Sequence, residues 1–77
     1  MVRGGFVADS RIVHVRFEGK SWDVPFSALD IGDRSSDRDV REAMARHLDV
    51  PARMFDGYIV ERHSNGNFTI RPEAVFG

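Results

Sequence analysis

The chain's arrangement turns on NFTIRPEAVFG, residues 67–77. Phe68 and Ile70 alternate with Thr69 and Arg71, the two-residue period of a strand with one apolar face. Pro72 has no N–H to give and marks the end of the ladder. Glu73 to Gly77 is too short for another element. The expectation is a buried terminal strand that releases a short arm, residues 73–77, with glycine at its tip.

Upstream of Asn67, loop length decides which face the preceding strand shows. A two-residue loop at Asn65-Gly66 would set Glu61 opposite Ile70 and spoil the alternation. A three-residue loop, Ser64-Asn65-Gly66 with Gly66 in the left-handed conformation, pairs Arg62 with Phe68 and Val60 with Ile70 and puts Tyr58 on the same side. Asp56-Gly57 breaks the chain before this hairpin, and Pro51 to Phe55 makes one short turn. Before Pro51 the sequence predicts a helix. Ser36 with Asp39 three residues on is a capping signal, and Val40, Ala43, Met44, His47 and Leu48 recur at helical spacing as a core-facing stripe. His47 is expected to be partly buried on that stripe. Asp37, Arg38, Arg41, Glu42 and Arg46 form the solvated face, with Asp37/Arg41 and Glu42/Arg46 as expected pairs.

Ser27 to Ser35 reads as a connection anchored by Leu29 and Ile31. Ahead of it, Val13, Val15 and Phe17 alternate with His14 and Arg16, and Trp22, Val24 and Phe26 alternate with Ser21, Asp23 and Pro25. A two-residue loop at Gly19-Lys20 pairs Phe17 with Trp22, Val15 with Val24 and Val13 with Phe26. Pro25 makes the second strand an edge, since a central strand cannot lose that donor. Residues 1–10 read as a flexible lead-in.

The order is hairpin, helix, hairpin. A helix across one continuous apolar face brings the first strand beside the last in parallel, giving an α+β, ββαββ domain over residues 11–72 with a four-stranded mixed sheet of order 2-1-4-3. This arrangement resembles the β-grasp fold of ubiquitin-like proteins over about residues 11–77. Phe68-Thr69-Ile70-Arg71-Pro72 leading into Ala74-Val75-Phe76-Gly77 is similar to the sulfur-carrier branch, which includes the small subunit of molybdopterin synthase and the thiamin sulfur carrier. The family usually ends Gly-Gly, and here the pair is Phe-Gly. The resemblance implies that the Gly77 carboxylate is adenylated by an ATP-dependent activating enzyme and passed to an acceptor as thiocarboxylate, thioester or amide, with Val75 and Phe76 as the arm gripped by that enzyme. It also implies a partner surface on the outward sheet face, at Ile12, His14, Arg16, Ile59, Thr69 and Arg71, with Glu61 among them. The implied protein is a monomeric modifier or sulfur carrier and not an enzyme. An adaptor of the same fold that is never conjugated is the alternative. Ala45 to Pro51 followed by Phe55 also has the rhythm of a helix-turn-helix, with five or six residues for its second helix.

Composition narrows the classes. Eleven basic and twelve acidic residues give a formal charge of −1, with no surplus to draw the chain to nucleic acid or anionic lipid. There is no cysteine, so disulfide and thiolate chemistry are absent from this chain, which fits a reducing compartment. The opening Met-Val-Arg-Gly-Gly-Phe lacks a signal-peptide core, no apolar run approaches the ~20 residues of a span, and the cytoplasm is expected. His14, His47 and His63 have no metal-ligand spacing, and Ser10, Ser35, Ser36 and Ser64 sit in turn or cap contexts without a nucleophile motif. No metal, cofactor or catalytic residue is expected.

Overall fold

Val13, Val15 and Phe17 give β1 (Ile12–Phe17) one wholly apolar face, and all three are buried in a computed structural model that describes residues 10–73. β1 pairs antiparallel with β2 (Lys20–Pro25), in the register Val13 to Val24, Val15 to Trp22 and Phe17 to Lys20. The turn is therefore Glu18-Gly19, one place earlier than the sequence suggested. Both residues have positive φ, 53° and 78°. A turn with two left-handed residues matches the right-handed twist of the strands, and glycine takes its second position. The pairing moves by two residues, so the apolar face is kept, but Phe26 is released from the ladder. It opens a one-turn helix, α1 (Phe26–Leu29), where a plain connection was expected. The Phe26 N–H donates to the Arg11 carbonyl at 3.0 Å, and Phe26 and Leu29 are buried.

α2 (Asp37–Leu48) starts as its sequence indicates. Ser36 Oγ accepts the Asp39 N–H at 3.0 Å, and the Asp39 carboxylate accepts the Ser36 N–H at 3.3 Å, so two donors at the helix start find partners. Val40, Ala43 and Met44 are buried, and so is Ala45. His47 is exposed, contrary to expectation. The chain reverses at Asp49, whose φ of 60° is left-handed, and Val50 donates its N–H to the Ala45 carbonyl at 2.9 Å. That return lies on the Ala45 side and leaves His47 in solvent. The expected surface pairs are also replaced. Arg38 Nε meets Glu42 at 3.2 Å, and Asp37 is taken by Arg62 at 2.8 Å.

A 3-10 turn, Ala52–Phe55, buries Phe55 against Phe17 and Tyr58, with ring centroids 4.9 and 5.0 Å away. β3 (Tyr58–Arg62) and β4 (Phe68–Pro72) then pair as the three-residue loop requires, Arg62 to Phe68 and Val60 to Ile70. Gly66 has φ 92°, and a Cβ there would sit 3.0 Å from Arg11 Cδ. β1 and β4 run parallel in the centre, Val13 to Phe68 and Val15 to Ile70, and the sheet order is β2-β1-β4-β3 with the Pro25 strand at an edge. The result is one α+β domain with a main helix on one face of a four-stranded mixed sheet, compatible with a β-grasp fold. Trp22, expected in the core, is half-buried at its rim.

Two side chains tie distant segments to this frame. Arg62 lies over the Phe68 ring at 4.5 Å and donates to the Ser35 carbonyl at 2.8 Å as well as to Asp37, so it joins β3 to the loop that starts α2. Arg11 lies over Phe26 at 4.6 Å and pairs with Asp33. Pro72 does not end all pairing of β4, because the Glu73 N–H donates to the Gly57 carbonyl at 2.9 Å. The parallel pairing of β4 with β1 is last registered at Val15 and Ile70, short of Pro72.

Candidate interaction surface

Alternation places every other residue of the four strands on the sheet face opposite the helices. The registers arrange them in three rows. Asp23, His14, Thr69 and Glu61 form the middle row. Continuing the register one step in each direction sets Arg16 beside Arg71 and Ile59, and Ile12 between Pro25 and Asn67. All six residues expected on this face, Ile12, His14, Arg16, Ile59, Thr69 and Arg71, are therefore together on it. Arg16 is exposed and the other five are half-buried. The buried helix residues all join the opposite face, around Val13, Val15, Phe68 and Ile70.

The polar side chains in these rows hold one another. His14 Nδ1 is 2.6 Å from Asp23 Oδ1, and His63 Nε2 is 2.8 Å from the Thr69 hydroxyl. Arg71 makes a two-pronged contact with Glu61, at 3.0 and 3.2 Å, and reaches the Pro72 carbonyl with its remaining nitrogen at 3.3 Å. Those hydrogen bonds hold the Glu61 carboxyl below its usual range, and Glu61 in turn raises the Arg71 guanidinium. Asn67 Oδ1 accepts the Ile12 N–H at 3.0 Å and so fastens the start of β1 to β4.

Asp23 and His63 were not among the expected surface residues, yet both complete rows. His63 sits just before the three-residue loop. Its N–H donates to the Asn67 carbonyl at 2.9 Å, so the hairpin carries on past Arg62 and His63 follows Ile59 and Glu61 onto the outward face. That position was available from the three-residue loop, since the alternation simply continues to its first closing pair.

At the end where β4 leaves the sheet, the face runs into an open groove of about 340 Å³ whose lining includes Arg16, Lys20, Tyr58, Arg71 and Glu73. Val75, Phe76 and Gly77, the expected arm, lie outside the described residues. Among the described residues no cluster of histidine, cysteine and carboxylate side chains could hold a metal ion, and no helix is long and apolar enough to cross a membrane. The helix-turn-helix rhythm resolves into α2 and the single Ala52–Phe55 turn, whose last residue is buried.

Because Glu61 is depressed in the folded chain, the sign of its pH effect is fixed. Its contribution is complete above the unfolded carboxyl value, near pH ~4.3, and disappears as pH falls through the lower folded value. Solvent screens this half-exposed pair, so Glu61→Gln should differ only slightly from the wild type in thermal midpoint at pH 7. Thermal melts across the acid range should show that difference closing as Glu61 takes its proton. A difference that widens with acid would contradict the assignment.

Compared with known proteins, the chain matches no family model, no curated protein and no solved structure.

Proposed function

We propose that the chain is a ubiquitin-like interaction domain, a β-grasp protein that meets protein partners through the open face of its sheet. Its work is recognition, as a ligand or substrate of other proteins in the cytoplasm, and not catalysis of its own. One observation carries this reading: the face of Ile12, His14, Arg16, Ile59, Thr69 and Arg71 is left uncovered by the helices, with two isoleucines set among fixed charges. Apolar side chains bordered by oriented polar groups are the usual make-up of a protein interface, where burial gives affinity and charge sets register.

A second reading is favoured by the way β4 ends. It is a central strand, and Pro72 and Glu73 stand at the groove that continues the face past Arg16. In this reading the chain is a modifier or sulfur carrier. An adenylating enzyme docks on the sheet, the Gly77 carboxylate is the activated group, Val75 and Phe76 occupy the enzyme's channel, and an acceptor protein takes the product.

Docking is tested by titrating the isotope-labelled chain with an adenylating enzyme and following backbone amide shifts. The shifts should centre on Ile12, His14, Arg16, Thr69 and Arg71, and Arg16→Glu with Arg71→Glu should weaken binding by about tenfold or more. Shifts confined to the exposed side of α2, around Arg38 and Arg41, would sink the assignment of the sheet face.

A further inference from the structure

The sequence holds two side-chain amides, Asn65 and Asn67, and both lie where β3 is closed onto β4. They differ in the residue that follows. Asn65 is exposed in the loop and precedes Gly66, which has no side chain to obstruct the approach of its backbone nitrogen. Asn65 Oδ1 accepts the Asn67 N–H at 3.0 Å, so a donor already stands where negative charge would gather if the amide carbon were attacked. The nitrogen placed to attack it, that of Gly66, donates its N–H to the His63 carbonyl at 2.9 Å. That bond closes an exposed turn and opens without disturbing the sheet. Asn67 also has its amide oxygen held, by the Ile12 N–H at 3.0 Å. Its neighbouring nitrogen, however, belongs to Phe68, which is buried and fixed in β4 between β1 and β3.

We infer that Asn65 is a site of self-modification, at which the chain deamidates through a cyclic imide with water as the only co-reactant consumed. A solvent base takes the Gly66 N–H proton. The nitrogen's electron pair then forms a bond to Asn65 Cγ, while the carbonyl pair moves onto Oδ1, where the Asn67 N–H stabilises it. The intermediate collapses as the Cγ–Nδ2 bond breaks, and Nδ2 takes a proton and leaves as ammonia. Water opens the resulting imide at either carbonyl. Opening at Cγ restores the ordinary backbone with an aspartate side chain, and opening at the main-chain carbonyl leaves an isoaspartyl link. Both products add one negative charge to the loop. The isoaspartyl link also lengthens the main chain by one carbon in the connection that sets Val60 opposite Ile70, at a place where even a Cβ on Gly66 would meet Arg11. That product should loosen the closed end of the β3–β4 hairpin. None of this requires the open sheet face to bind a partner.

The test holds the full chain at mildly alkaline pH and follows its intact mass with time, using fragment mapping to place the change. The mass gain of one amide turned to acid should accumulate at residue 65 as a mixture of aspartyl and isoaspartyl products. It should come faster as pH rises, because the attacking nitrogen must lose its proton. Asn65→Gln should suppress it, since the longer side chain would have to close a less favoured six-membered ring, and Asn67→Gln should leave it in place. An unchanged thermal midpoint confirms that each variant is folded. A capped peptide of residues 63–67 gives the rate without a fold, and releasing one exposed hydrogen bond should slow the folded chain by no more than about tenfold relative to it. A gain placed at residue 67, a gain that survives Asn65→Gln, or a folded chain slowed by more than that factor would each overturn the inference.

Discussion

Phe55→Ala will lower the unfolding free energy by about 3–5 kcal/mol, while Met54→Ala, one residue earlier, will change it by no more than about 0.5 kcal/mol. The two side chains belong to the same four-residue turn and differ in what surrounds them. Phe55 is fully buried, wedged between the Phe17 and Tyr58 rings, and is the only buried residue that turn contributes to the core. Its removal leaves a ring-sized void that β1 and β3 cannot both move to fill, so lost burial and a residual cavity act together. A domain of this size has only about 4–11 kcal/mol of stability in total, so the variant should be close to unfolding at room temperature. Urea titration followed by near-ultraviolet circular dichroism would measure it. Similar small shifts for both variants would mean that the turn is not an anchor of the core.

Deleting Gly77 will abolish adenylation under the modifier reading while leaving the fold untouched. The chemistry requires a carboxylate oxygen to attack the α-phosphorus of ATP and displace pyrophosphate, forming an acyl adenylate at the terminal carbonyl. Glycine leaves that carbonyl unobstructed. The core closes on Phe68 and Ile70, and Pro72 and Glu73 are already exposed, so the truncation should cost less than about 0.5 kcal/mol. Intact mass spectrometry after incubation with ATP and an adenylating enzyme of proven activity should show the adenylate on the wild type alone. The same adduct on both chains, or none on either, would remove the modifier reading and leave the docking domain.

Much of the architecture was legible because two-residue and helical periods are independent of tertiary context. The Gly66 loop illustrates this, since only a three-residue connection keeps Val60 and Ile70 on one face, and that pairing is the one found. The Pro25 edge and the parallel β1–β4 pair followed from donor counting and from the single helix stripe. The first hairpin was read two residues out of register because a shift of two preserves alternation, so hydrophobic pattern alone cannot detect it. What separated the alternatives was the left-handed conformation of Glu18, which a glutamate does not advertise. His47 and Ala45 exchanged roles for a similar reason: the chain reversal at Asp49 decides which flank of the helix is covered. Of the candidate surface, the six outward residues were legible from alternation, while Asp23 and His63 needed the cross-strand contacts to be seen.

Arg62 bears on solubility during folding and storage. A four-stranded open sheet exposes two unpaired edges, and such edges template pairing with other chains. The β2 edge is interrupted by Pro25, which lacks a donor. β3 has no proline, but at its far end Arg62 points inward over Phe68 and holds the Ser35 carbonyl and Asp37. A foreign strand that extended along β3 to this end would have to dislodge a charged side chain from three partners and leave part of it without water. Arg62 thus sets a charged side chain, held by the loop that starts α2, at the far end of the β3 edge, a kind of feature that disfavours edge-to-edge pairing.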